Sequence, residues 1–93
     1  SDNRVKDLIL GYFFAEDFNK VVELGFDIRI MDTRSLALIL YARTQLNQDI
    51  KTSNEYKLFT DVFKDTNWEQ VIDRFHIQDT KIKHNLLCFI EAI

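Results

Sequence analysis

No proline and only two glycines, Gly11 and Gly25, occur in the 93 residues of this chain. Sandwiches and barrels draw on those residue types at their many tight turns, so the shortage argues for helices joined by short polar loops. The apolar residues agree, recurring almost throughout at the three- and four-residue spacing of a helix face. One short stretch departs from it. Phe26-Asp27-Ile28-Arg29-Ile30 alternates as a strand would, but no partner strand is evident. It reads as an extended connector whose Phe and Ile plug the core.

Helix boundaries follow from caps and stripes. Val5, Leu8, Ile9, Tyr12 and Phe13 form one face, with Asp2 or Asn3 placed to cap its start. A second helix runs from about Glu16 to Leu24 through Phe18, Val21 and Val22. Glu16 and Asp17 suit its positive end, and Gly25 can close it in the left-handed conformation. Asp32 and Thr33 cap a third helix from Arg34 to about Gln48. Its centre, Leu36 to Ala42, is apolar on every side, as expected of a helix surrounded by others. Polar Asn47 to Asn54 is the loop between halves. Ser53 or Asn54 caps a fourth helix carrying Tyr56, Leu58, Phe59, Val62 and Phe63. Thr66 and Glu69 have capping-box spacing and open a fifth through Trp68, Val71, Ile72 and Phe75. Asp79-Thr80 caps a sixth with the stripe Ile82, Leu86, Phe89, Ile90 and Ile93. The expectation is an all-α domain, a compact bundle of five or six short helices spanning 1–93.

The chain also resembles itself at an offset of fifty. Leu8, Ile9, Phe13, Phe18, Val21 and Val22 return as Leu58, Phe59, Phe63, Trp68, Val71 and Ile72. Phe26-Asp27-Ile28 then answers to Phe75-His76-Ile77, and Asp32-Thr33-Arg34 to Asp79-Thr80-Lys81. Self-similarity at such a period marks stacked helical units, which bind more often than they catalyse. Two three-helix units, 3–48 and 53–93, would account for it, although unrelated amphipathic helices with similar loops can also match.

Composition narrows the function classes. A chain this long removes about 60 to 65% of its unfolded surface from water, enough to fold without staples. Twelve basic and fifteen acidic residues, spread along the chain in both signs with no run of five alike, give a net charge of −3. That leaves little footprint for nucleic acid or an anionic membrane. The longest apolar stretch, Leu36 to Ala42, falls far short of the roughly 20 residues that span a bilayer. Cys88 is the only cysteine, so a reducing intracellular compartment, cytoplasmic or nuclear, is expected. The lack of a first Met and an end at Ile93 within an apolar stripe read as a fragment of a longer protein.

Chemistry-bearing motifs are scarce. No phosphate loop, paired cysteines, calcium loop or zinc-protease motif occurs, and no enzyme, cofactor or small-molecule substrate is indicated. His84 and Cys88 lie one turn apart, but two ligands do not make a zinc site, even with His76 or Asp79 nearby. Glu16-Asp17 is read as a helix start rather than an acid–base pair. The second helix, the Leu24-Gly25 turn and the third helix have a helix-turn-helix layout. The third helix, however, surrounds Arg34, Arg43 and Gln45 with apolar residues unsuited to reading base edges. Glu23-Leu24-Gly25-Phe26 resembles the Leu-Gly-Phe turn of small helical repeats and ubiquitin-binding bundles. The rest of those patterns is missing, and no function is carried across.

Apolar residues off the main stripes remain. Leu10 and Phe14 pair on one side of the first helix, and Leu38 and Tyr41 lie off the Leu36-Ile39-Leu40 line. Either they are buried between helices, or they line an aromatic groove that takes a partner helix or peptide. On the second reading the chain is a non-catalytic interaction module that binds another protein or itself, as a homodimer, through Leu10, Phe14, Leu38 and Tyr41. The alternatives are a small DNA-associated transcriptional regulator and an inhibitory or immunity-type protein that docks on an enzyme.

Overall fold

The computed structural model describes all 93 residues, Ser1–Ile93, and holds helices and turns but no strand. In chain order these are α1 (Asp2–Phe14), α2 (Phe18–Gly25), α3 (Thr33–Gln45), α4 (Asn54–Leu58), α5 (Trp68–Asp73) and α6 (Thr80–Ala92). A 3₁₀ turn, Ile50–Thr52, precedes α4, and a π turn, Phe59–Phe63, follows it. The expected all-α bundle of short helices is what the chain forms. Its radius of gyration of 12.0 Å equals the roughly 12 Å of a fully compacted chain of this length.

Short polar side chains set most helix starts. Asp17 accepts from the Lys20 backbone N–H at 3.2 Å, Asp32 from Ser35 at 3.0 Å and Ser53 from Tyr56 at 3.1 Å. Asp79 accepts from both Lys81 and Ile82, at 2.9 and 3.3 Å. Three sequence expectations are corrected. Thr66 does not cap α5; Asn67, a stronger capping residue, accepts from the Gln70 N–H at 3.2 Å and moves the start one residue on. Asp2 lies inside the first turn of α1 and leaves the start to Ser1, its carboxylate being used elsewhere. Gly25 does not adopt the left-handed conformation; it is the last residue of α2 and is buried. Its value is spatial, since a Cβ there would stand 2.9 Å from Cδ1 of Ile39.

The left-handed positions belong instead to Glu16, Asn47 and His76, at φ of 58°, 60° and 55°. After α1 and α3 these residues reverse the chain in Schellman fashion. The next amides, of Asp17 and Gln48, donate back to the carbonyls of Tyr12 and Arg43 at 3.0 and 2.9 Å.

Helix α3 is the centre of the molecule, with Leu36, Ala37, Leu38, Ile39, Leu40 and Ala42 all buried. α1 runs parallel to it, because Lys6 pairs with Asp32 at one end (3.9 Å) and the Phe13 ring meets Tyr41 at the other (5.6 Å). α2 returns between them and packs on both. On the other side, α6 brings Phe89 to Tyr41 at 5.5 Å and α5 pairs with it through Asp73 and Lys83. α4 leans on α3. α2 and α5 begin fifty residues apart, at Phe18 and Trp68, while α3 and α6 begin 47 apart and are each 13 residues long.

The segment joining α2 to α3 departs from expectation. Phe26 and Ile30 do not plug the core; they are 76% and 75% exposed, and only Ile28 turns partly inward. The amides of Phe26, Asp27 and Ile28 fold back onto the carbonyls of Glu23, Leu24 and Gly25. The chain there is turned rather than extended, so the strand-like alternation has no strand to act through.

Candidate interaction surface

The connector is irregular yet fixed. Beyond the three amides just described, those of Arg29 and Ile30 donate to the two carboxylate oxygens of Asp2 at 3.2 and 3.0 Å. Every backbone N–H from Phe26 to Ile30 therefore has a partner. The bond from Ile30 and then that from Arg29, helped by the charges of Lys6 and Arg29, hold the Asp2 carboxyl below the usual carboxylate range. One side chain near the chain start thus staples a loop 27 residues later.

Two recesses flank this loop. The larger, ≈ 680 Å³, is walled by Phe26, Ile28, Met31, Arg43, Glu55 and Leu58 among others. In it the Arg43 guanidinium lies 5.8 Å from the centre of the Phe26 ring, donates to Gln48 at 2.9 Å and pairs with Glu55 at 3.0 Å. Both charged side chains are largely buried, so this pair ties α3 to α4. The second recess, ≈ 540 Å³, lies against Ser1, Asp2, Val5, Asp27, Arg29 and Ile30. Phe26 and Ile30 stand at the rims of these two hollows.

The residues singled out from sequence occupy a different place. Leu38 is 1% exposed and contributes no surface. Tyr41 is half-buried at the hub of an edge-to-face cluster with Phe13, Phe18 and Phe89, at 5.6, 6.0 and 5.5 Å. Leu10 is half-buried against the core, and Phe14, 43% exposed, adds its ring to Phe13 at 6.0 Å. Phe14 and Tyr41 thus join one aromatic cluster, and none of the recesses described above is lined by any of the four. The connector side chains escaped the sequence reading because nothing local distinguishes an apolar residue that plugs a core from one that leaves it.

No three His, Cys, Asp or Glu side chains gather closely enough to hold an ion. His84 Nε2 and Cys88 Sγ lie 3.4 Å apart on exposed turns of α6, a contact between two neighbours with no third ligand. No helix is long and apolar enough to cross a membrane. No family model, curated protein or solved structure matches this chain.

Proposed function

We propose that this chain is a non-catalytic protein-interaction module acting inside the cell, and that its contact surface is the connector between α2 and α3. The observation that carries the reading is the pair Phe26 and Ile30, three-quarters exposed on a loop whose amides are all bonded. Large apolar side chains left in water forgo about 1.5 to 3 kcal/mol each, which a partner recovers on covering them. Aromatic anchors beside recesses are the usual centres of binding energy, and a loop already fixed loses little freedom when it docks. The mild net negative charge of the chain offers phosphate no cationic field, which sets the DNA reading behind this one.

The test is a double substitution, Phe26→Asp with Ile30→Asp. Both side chains lie outside the core, so the circular dichroism and melting temperature should match the parent. Proteins cross-linked to the parent chain in its native cell should then be absent from the variant. Identical cross-linking by a folded variant would place the contact surface elsewhere.

A further inference from the structure

The connector reads alike in both directions from its centre. From Ile28, the sequence Phe26-Asp27-Ile28-Arg29-Ile30 steps outward to a charge and then to an apolar side chain on each arm, and the two charges have opposite sign. We propose that the partner covering this surface is a second copy of the same chain, related by a two-fold axis passing beside Ile28. The two connectors then run antiparallel. Phe26 of each copy meets Ile30 of the other, and Asp27 of each meets Arg29 of the other. This rests on the reading of the connector as a contact surface and names its occupant.

Three observations support it. An interface with two-fold symmetry needs one patch that complements itself, and here the charge order does so only in the antiparallel sense. A parallel register would set Asp27 against Asp27 and Arg29 against Arg29. Next, Asp27 and Arg29 are exposed and neither enters an ion pair within the chain, Arg29 acting on the Asp2 carboxylate only at longer range. Finally, the recess beside Ile30 is lined by Val5 and Ile30 together with the polar Ser1, Asp2, Asp27 and Arg29. The Phe26 ring arriving from the other copy thus meets two apolar side chains there and the charges that pair across the axis. The contact is made by side chains alone. All five connector amides are already bonded, so adding a strand across the axis is excluded. The apolar pairs supply affinity, and the charge pairs fix the antiparallel register.

Sedimentation velocity over a wide range of protein concentration tests this. The parent should pass from monomer to dimer as concentration rises. Asp27→Arg alone should abolish dimerisation by opposing cation to cation, and Arg29→Asp alone should do so by opposing anion to anion. An equimolar mixture of those two single variants should recover a dimer, because every cation of one chain then faces an anion of the other. That recovery also shows both variants to be folded. A parent that stays monomeric at every concentration, a single variant that dimerises like the parent, or a mixture that remains monomeric would each overturn the two-fold arrangement. If the parent is monomeric while Phe26→Asp with Ile30→Asp still loses its cross-linked partners, the interaction surface stands and only the identity of its occupant falls.

Discussion

The first three helices and the last three share an apolar pattern but not a way of packing. α1, α2 and α3 touch one another pairwise, whereas α4 rests on α3, and α5 and α6 join the same core by closing against it. Six of the sixteen buried apolar residues lie on α3 alone, and only six lie beyond it. Residues fifty apart in the chain accordingly meet different fates. Val21 is buried where Val71 is half-exposed, Phe13 is buried where Phe63 is not, and Trp68 is more deeply set than Phe18. α1 is regular over Ile9–Phe13, but its counterpart Phe59–Phe63 widens into a π turn. The same binary pattern thus specifies helices and their starts, while the neighbour each helix finds decides what is buried.

The largest effect should come from the helix both halves use. Leu38→Ala is expected to cost about 2 to 5 kcal/mol. Trp68 fluorescence, which reports the second half, and helical circular dichroism should still fall at one common denaturant midpoint. Two separated midpoints would mean the halves fold independently. Next is the link between α3 and α4. Arg43→Met leaves the largely buried Glu55 carboxylate without its partner, a loss of about 1 to 3 kcal/mol. Amide exchange should accelerate over residues 47–63 while α1 and α2 stay protected; uniform acceleration would show that α4 is no looser than the rest.

Smaller changes compare matching caps. Asp17→Ala and Asn67→Ala each remove one side-chain bond to a helix start and should each cost about 1 kcal/mol. Fraying should be greater in the second case, because α2 packs more extensively on α1 and α3 than α5 does on α3 and α6. Clearly unequal melting shifts would sharpen the contrast between the halves. The smallest effect concerns Asp2. Its folded carboxyl titrates below its ordinary value of 3.8, so the staple is complete above that value and is lost as pH falls through the lower folded one. The Arg29 and Ile30 amide signals in NMR should hold steady from neutral pH to about the ordinary Asp range and move only below it. Asp2→Asn should abolish that transition.

Local chemistry was legible in the sequence, and neighbours were not. Asp32, Ser53 and Asp79 act on amides two or three residues away, so spacing alone locates them. Asp17, expected with Glu16 inside the first turn of the second helix, instead caps α2 from just outside it and leaves Glu16 in the preceding turn. Thr66 misled because Asn67, immediately beside it, caps better. Leu38 sits off the main stripe of α3, but a helix apolar all round has no open side, and the burial of its every face settles where that residue lies. The surface carried by Phe26 and Ile30 was hidden for a different reason. It depends on Asp2 reaching across to a loop far along the chain, a contact with no periodic signature.

Helices adjacent in the chain are also adjacent in space, from α1 through α3 and again from α5 to α6. The consequence is kinetic. Most of the closures that build the core span short lengths of chain, the condition under which small helical proteins cross their folding barrier within about microseconds to milliseconds. With no proline in the sequence, no slow prolyl isomerisation can divide the refolding population. Refolding should therefore run as one rapid phase, leaving newly made chain exposed only briefly before its apolar helices find each other.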